Sequence, residues 1–317
     1  MLLTPNYSLK KPEGTDVVDI SNFNDNSDII DAKIKLIDTS LSETTQSIAQ
    51  LSNPNLLING DFQNPVNQRG LTTYNTHGKY TIDRWQFFTG GSTGYVTIND
   101  KFITLTNLVA DNTYLQQKFD TNFSALNNSK VTITIKYRTQ LNGVTLTAFG
   151  KTYLLPKSDN WIIKSFVIDI SSWSYVLGDN TSSIFVQLYN GTNFVIGSLD
   201  MKYIKVESSS ISTPFMPRFY GEELALCQRY YETLSYYGRV ASGMSELLTS
   251  IPFKVTKRIT PSNVDLGSNV YETGIGWISK QAEVSAYLNT KCCHFKIGSN
   301  TTIIDVQVFI GSDSEIY

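Results

Sequence analysis

The chain has 317 residues, of which 17% are charged, and its formal net charge is -2. This length suffices for two domains of ordinary size, and the weak charge excludes the basic field that nucleic acid or an anionic membrane surface requires. Aromatic residues make up 12% of the chain, a share that suits β-sheets and ring-stacking surfaces.

Residues 1–29 are polar and rich in turn-forming residues, with the breaker cluster KKPEG at residues 10–14. Because this segment has too little apolar surface to fold alone, we predict a docking arm that a partner orders; a passive tail is the alternative. The first residues lack the basic and apolar regions of a secretory signal, and we find no apolar run long enough to insert in a membrane. We therefore expect synthesis in the cytoplasm of a cell and exit by lysis or within a particle.

Residues 30–52 carry a heptad pattern at alternating spacings of four and three. The positions are Ile30, Ile34, Ile37, Leu41, Thr44, Ile48 and Leu51. A stripe this narrow fits a seam between parallel helices, and isoleucine at both seam positions favours three strands over two. We predict a short, parallel, trimeric coiled coil; a single amphipathic helix packed on its own chain is the alternative.

Residues 55–217 show strand signals in close succession, with no helical pattern between them. Runs such as VTITI at residues 131–135 are separated by Gly, Asn and Asp clusters. Many short strands without helices indicate a β-sandwich of the jelly-roll type. Trp161 and Trp173 lie at loop edges in this region and are candidates for stacking on sugar rings, with packing inside the sandwich as the alternative.

Residues 218–317 begin with one amphipathic helix and then return to strand patterns. The helix is predicted over residues 220–234 from acids in the first turn and an apolar spacing of three and four. We predict a C-terminal β domain after it. Tyr271, Trp277 and Tyr287 are its candidate glycan contacts, with burial at the trimer axis as the alternative.

Residues suited to catalysis are scarce in this chain. It has two histidines, no Ser/His/Asp order that stands out, and no glycine loop for phosphate. Its charge is too sparse to favour the paired carboxylates of a glycosidase. We therefore expect no enzymatic activity. Three cysteines do not make a disulfide framework, so we expect free thiols.

Three stretches of the sequence are distinctive. They are LKKPEGTD at residues 9–16 with residues 19–31; NLLINGDFQ at 55–63 with NQRG at 67–70 and YTIDRW at 80–85; and TPFMPRFYGEEL at 213–224 with CQRYY at 227–231. They resemble, in turn, the virion-attachment end, the first jelly-roll strands and the following junction of tail-fibre or receptor-binding proteins. Those proteins belong to phages, prophages and tailocins of Gram-positive bacteria.

The resemblance implies a homotrimeric tail fibre, in a virion or an extracellular tail-like particle, that binds a bacterial surface glycan and mediates host attachment. It implies docking on a baseplate or other tail protein through residues 1–29. We expect residues 235–317 to contact the receptor; binding by the sandwich is the alternative. A purely structural baseplate or collar protein and a surface-polysaccharide depolymerase are the alternative functions.

The second stretch, together with residues 199–201, also resembles the first and last strands of carbohydrate-binding jelly rolls. That resemblance implies a structural calcium ion held by Asp61, Asp200 and backbone carbonyl oxygens. The alternative is that both are loop carboxylates satisfied by backbone N–H groups. We expect no other cofactor.

Overall fold

The computed structural model describes residues 2–17, 19–50, 52–91, 94–119, 130–176, 179–239, 246–261, 263–272, 276–279, 284–298 and 303–313. Within these ranges, side chains are described except at residues 45–50, 181, 236–239, 246–249, 263–272, 276–279, 284–288, 293–298 and 303–313. The chain divides into two compact units, Met1–Asn53 and Pro54–Tyr317.

The first unit consists of a short hairpin and a long helix. Strands β1 (Leu2–Leu3) and β2 (Lys10–Lys11) pair antiparallel, and helix α1 spans Ile20–Gln50. The Asp19 carboxylate caps the helix by accepting a hydrogen bond from the Ser21 amide at 2.9 Å. The helix thus begins well before residue 30 and includes residues that the sequence assigned to the arm.

The side chain of Asn26 joins the hairpin to α1. Its Oδ1 accepts a hydrogen bond from the Lys10 amide at 2.7 Å, and its Nδ2 donates to the Lys10 carbonyl oxygen at 2.9 Å. The Lys10 ammonium also forms an ion pair with Asp25. These contacts give the start of the predicted arm a fold of its own, against its own helix, while docking on a partner stays a prediction.

The second unit begins with two six-stranded antiparallel sheets. Their strands are β3 (Thr73–Tyr74), β4 (Lys79–Tyr80), β5 (Gln86–Thr89), β6 (Gly94–Asn99), β7 (Phe102–Asn107), β8 (Thr113–Lys118), β9 (Lys130–Thr139), β10 (Thr145–Ala148), β11 (Lys151–Leu154), β12 (Ser158–Asp169), β13 (Ser183–Gln187) and β14 (Gly197–Glu207). Sheet I has the order β11-β10-β13-β8-β5-β4, and sheet II has the order β12-β9-β14-β7-β6-β3. The predicted mainly β, sandwich-like fold is confirmed.

One apolar core joins the two sheets. Sheet II contributes alternate residues of β9, such as Ile133 and Ile135, and sheet I contributes Ile184 and Val186 of β13, all fully buried. The period of two sends these side chains inward and the residues between them to the outer face. Each buried side chain of this size stabilises the fold by about 1.5–3 kcal/mol.

The segment at residues 208–217 covers part of the outer face of sheet II. The ammonium group of Lys205 on β14 donates hydrogen bonds to the Thr213 carbonyl oxygen at 3.2 Å and to its hydroxyl at 2.6 Å. Lys205 is therefore buried, whereas Asp200 and Lys202 on the same strand are only half-buried. The outer face is thus covered at one end and open at the other.

Helix α2 (Tyr220–Gln228) docks on the start of the sandwich. Cys227 packs in a small apolar cluster with Ile58. The Arg218 guanidinium donates a hydrogen bond to the Leu57 carbonyl oxygen at 2.9 Å and pairs with Glu223 at 3.0 Å. These contacts tie the helix to the sandwich.

Strands follow α2, as predicted. They are β15 (Tyr231–Arg239), β16 (Glu246–Pro252), β17 (Asn263–Glu272), β18 (Gly276–Ser279), β19 (Val284–Leu288), β20 (Cys292–Gly298) and β21 (Ile303–Asp313). They form a four-stranded sheet in the order β15-β21-β17-β18 and a three-stranded sheet in the order β16-β20-β19.

The helix prediction over residues 220–234 is wrong in its second half, because Tyr231 already belongs to β15. Glu232 and Leu234 are buried and Thr233 between them is exposed, which is strand alternation. The Glu232 carboxylate forms a fully buried ion pair with Lys257 at 3.0 Å. That partner, distant in sequence, favours a strand where the apolar spacing alone indicated a helix.

Candidate functional site

The open part of the outer face of sheet II centres on a bulge in the edge strand β12. The register pairs Ser158 with Thr139 and Ile162 with Tyr137, so residues 159–161 stand opposite Arg138 alone. A bulge bends its strand and redirects its side chains. Here it brings the half-buried side chain of Trp161 next to Arg138.

A chain of polar contacts crosses the sheet from this point. Arg138 Nε lies 2.7 Å from Asp200 Oδ2, and the Thr104 hydroxyl donates a hydrogen bond to Asp200 Oδ1 at 2.6 Å. Asn99 Nδ2 in turn donates to the Thr104 hydroxyl oxygen at 2.8 Å. Both carboxylate oxygens are therefore held in place by neighbours. The side chains of Arg138 and Asp200 remain 39% and 18% exposed, so a ligand can reach them.

Aromatic and cationic groups surround the indole of Trp161. The Phe102 ring meets it edge-on, with 5.6 Å between centroids. The Arg138 Cζ atom and the Lys202 Nζ atom lie 4.8 Å and 4.6 Å from the indole centroid. Cations at these distances are attracted to an aromatic face. The contacts orient the indole and leave it half-buried.

A cavity of about 250 Å³ opens beside the ion pair. It is lined by Arg138, Thr139, Gln140, Ser158, Asp159, Ser198 and Asp200. The lining supplies a guanidinium, two carboxylates, hydroxyls and an amide, so it offers both donors and acceptors. Sites for drug-sized ligands are usually about 300–1,000 Å³, so this cavity suits one small polar unit.

Tyr137 holds the loop that leads into the bulge. Its ring is buried, and its hydroxyl donates a hydrogen bond to the Pro156 carbonyl oxygen at 2.8 Å. Because burial disfavours the tyrosinate anion, the pKa of Tyr137 is raised to about 12. The hydroxyl therefore keeps its proton, and its hydrogen bond, throughout the neutral pH range.

Of the two sandwich tryptophans predicted from the sequence, the structure places only Trp161 at this site. The Trp173 ring lies 5.0 Å from Phe149 and 6.4 Å from Phe119, and it packs against the core. Trp173 thus has the packing role that was its alternative. Sequence reasoning missed Arg138 and Lys202, whose signal was only their polarity at alternate positions of two strands.

The three C-terminal candidates lie in strands whose side chains are outside the described ones. Tyr271 and Trp277 are backbone partners in the pairing of β17 with β18. Tyr287 is the partner of His294 in the pairing of β19 with β20. A role for these three residues in glycan binding stays a prediction.

The two calcium candidates have other partners. Asp61 accepts a hydrogen bond from the Gln63 amide at 3.1 Å, and Asp200 is held by Arg138 and Thr104. Within the described ranges, no group of three or more His, Cys, Asp or Glu side chains is placed to hold a metal ion. Asp61 thus has a backbone N–H donor, as in the alternative, whereas Asp200 lies on strand β14 and is held by side chains. A calcium ion at these two residues stays a prediction.

The predicted seam residues lie on α1 and are largely exposed. Ile30, Ile34, Ile37 and Leu41 are 46%, 53%, 59% and 63% exposed, and Thr44 is also exposed. Ile48 belongs to the helix, but its side chain lies outside the described ones, as does Leu51 as a whole. An apolar stripe exposed to this extent is a surface available to a partner.

Comparison with known proteins leaves the family open: no family model and no curated protein matches the chain. A family 29 carbohydrate-binding module from Piromyces equi aligns at 13% identity over 43% of this chain and 92% of that chain, with a TM-score of 0.28. The Endo-D glycoside hydrolase domain from Streptococcus pneumoniae R6 aligns at 11% identity over 73% and 37%, with a TM-score of 0.27. A triple jelly-roll protein of an archaeal virus aligns at 10% identity over 68% and 59%, with a TM-score of 0.20.

TM-scores this low identify neither a fold family nor a ligand, so function has to follow from this chain's own residues. Neither helix that the structure describes is long and apolar enough to cross a membrane.

Proposed function

We propose that this protein attaches a phage or phage-tail-like particle to a bacterium by binding a surface glycan on the open outer face of sheet II. The observation that carries the proposal is that Arg138 contacts both the Trp161 indole and Asp200, and that Arg138 and Asp200 line one polar cavity. Sugar rings have an apolar face and a rim of hydroxyls. An indole beside paired charged groups complements both.

In the proposed complex, each group has its own task. The indole of Trp161 packs against the apolar face of a sugar ring, and Arg138 donates hydrogen bonds to its hydroxyls. Asp200 accepts hydrogen bonds from hydroxyls, and its orientation is already set by Thr104 at 2.6 Å. Side chains that are held before binding lose little entropy on binding. Lys202 has a flexible stem, so it can leave the indole when the sugar arrives.

We propose that this site binds glycan without cleaving it. Glycoside hydrolysis needs one carboxylic acid that donates a proton and a second carboxylate that acts on the sugar or on water. Asp159 and Asp200 both line the cavity. Asp200, however, already uses both oxygens to accept hydrogen bonds from Arg138 and Thr104, which suits a fixed acceptor.

Assembly is the second part of the proposal. We propose a homotrimer joined through the exposed stripe of α1, and docking on a baseplate or other tail protein through residues 1–29. Leu2 and Leu3 of the hairpin are 53% and 60% exposed and are apolar contacts for that partner. Three copies of one site on one particle convert weak single-site binding into useful avidity.

The sequence favoured residues 235–317 as the receptor-binding part. We propose the sandwich instead, because the described polar and aromatic groups converge there. The test is sedimentation of purified full-length protein with insoluble cell walls from a panel of Gram-positive bacteria. Binding to at least one wall supports attachment. Binding to none favours a purely structural role, and release of reducing sugar favours a depolymerase.

A further inference from the structure

The apolar stripe of α1 is longer than the seam read from the sequence. In heptad notation, Ile34 and Leu41 are a positions, and Ile30 and Ile37 are d positions. The same count places Ile20 at a and Phe23 at d, and these two side chains are 72% and 51% exposed. The heptad pattern therefore extends to the first residue of the helix, with the polar Ser27 at the a position between Phe23 and Ile30.

A cavity of about 140 Å³ lies on this seam. It is lined by Ile30, Lys33, Ile34, Ile37 and Ile29 of the helix, together with Tyr7. The first four are successive d, g, a and d positions. In a coiled coil, each knob enters a hole formed by four residues of the facing helix. A d-g-a-d hole is the one that receives an a residue from a parallel neighbour in the same register.

Charges beside the seam point to the same arrangement. Lys33 is a g position and Asp38 is an e position, and both side chains are exposed. In parallel helices in register, a g residue lies beside the e residue five positions later in the neighbour. Lys33 of one copy therefore meets Asp38 of the next, and the charges are opposite. Antiparallel helices instead place g beside g and e beside e, so Lys33 would face no acidic residue at these positions.

We infer that a second copy of this chain docks on α1 in parallel and in register, with its Ile34 in this cavity, and that Tyr7 forms one wall of the hole. The inference rests on the proposed self-association and deepens it, because it gives the N-terminal hairpin a part in the contact between copies. Asn26 supports this role, since its two hydrogen bonds to the Lys10 backbone hold the hairpin against the helix.

The first test removes the Tyr7 ring from the edge of the cavity. Tyr7→Ala should raise the concentration at which the full-length assembly dissociates by about tenfold, as expected for truncating an aromatic group at an interface. Tyr7→Phe is the matched control. It keeps the ring, so the concentration at which the assembly dissociates should be unchanged. Sedimentation equilibrium measures both. Equal dissociation of Tyr7→Ala and the wild type would overturn the role of Tyr7.

The second test uses charge reversal to determine the register of the two helices. Lys33→Asp and Asp38→Lys should each weaken the assembly, since each places like charges side by side. The double variant should restore it. If the double variant is no better than the single ones, the parallel register is wrong even though the copies associate. A wild-type protein that is monomeric at every concentration would contradict both this inference and the proposed self-association. The glycan site is tested separately, by binding to bacterial cell walls.

Discussion

The guanidinium of Arg138 contacts an aromatic ring and an acid at the same time: its Cζ lies 4.8 Å from the Trp161 centroid, and its Nε lies 2.7 Å from the Asp200 carboxylate. A planar cation can make both contacts at once, whereas an ammonium group is a point charge. One residue thus links the apolar and the polar parts of the proposed glycan site.

Arg138→Lys should therefore weaken binding to cell-wall polysaccharide by about tenfold, because lysine cannot hold both contacts in this geometry. The pair is partly exposed, so the free energy of unfolding should change by less than about 1 kcal/mol. Calorimetric titration and urea unfolding measure the two effects. Undiminished binding by Arg138→Lys would show that Arg138 has no part in recognition.

Lys205 and Glu207 form a buried ion pair of 3.1 Å beneath the segment at residues 208–217. Lys205→Met should lower the free energy of unfolding by about 3–5 kcal/mol, because it leaves the buried Glu207 carboxylate without its cation. Adding Glu207→Gln should recover part of this loss, since it removes the unpaired charge and an amide oxygen still accepts the hydrogen bond from the Thr213 amide. Urea unfolding measures the free energy of unfolding of both variants. A double variant as unstable as Lys205→Met would contradict the explanation that the unpaired Glu207 carboxylate causes the loss.

Gly60 has no room for a side chain. A Cβ atom there would lie 2.5 Å from the Ile204 carbonyl oxygen and 2.7 Å from Asn55 Nδ2. Gly60→Ala should therefore lower the free energy of unfolding by about 1–3 kcal/mol. Gly221→Ala is the control in the same unit: its Cβ would meet no described atom within 4 Å, and alanine should add about 0.5 kcal/mol to the helix. Thermal unfolding should shift in opposite directions for the two variants.

The pKa of Tyr137, raised by burial to about 12, predicts a loss of stability in alkali. Below pH 10 both the folded and the unfolded chain keep this proton. Above pH 10 the unfolded chain loses it first, so the free energy of unfolding falls by up to about 1.4 kcal/mol per pH unit until the folded pKa is reached.

Tyr137→Phe tests this prediction. The variant loses the hydrogen bond to Pro156, which costs about 1 kcal/mol at neutral pH. Its stability should then fall less steeply than that of the wild type between pH 10 and about pH 12, because one titrating group is gone. Equal slopes in urea unfolding would place the alkaline loss at other groups, such as Tyr114 and Tyr203, whose pKa values burial also raises.

Much of the fold follows from local patterns. Alternation of period two in β9 predicts which residues enter the core, and the heptad pattern predicts the helix through residues 30–50. The early start of α1 was also readable, since Ile20 and Phe23 continue the same heptad. The end of α2 could not be predicted from the sequence. Strand alternation and the pairing of Glu232 with Lys257 compete there with the helical spacing.

The candidate site was harder to predict because it depends on register between distant strands. Trp161 meets Arg138 only because a bulge sets three residues of β12 opposite one residue of β9. Asp200 reaches Arg138 through the pairing of β14 with β9. A single sequence gives the aromatic and charged residues but not these pairings. From the sequence, Trp161 was therefore a candidate for stacking on a sugar ring and Asp200 a candidate ligand of calcium.

The most direct measurement compares the affinity of three full-length proteins for a cell-wall polysaccharide that the wild type binds. Trp161→Ala should weaken binding by about tenfold or more, as expected for loss of a stacking aromatic group. Phe88→Ala, which removes a half-buried ring from the outer face of sheet I, should bind like the wild type. Equal affinity of Trp161→Ala and the wild type would contradict glycan binding at this face of the sandwich.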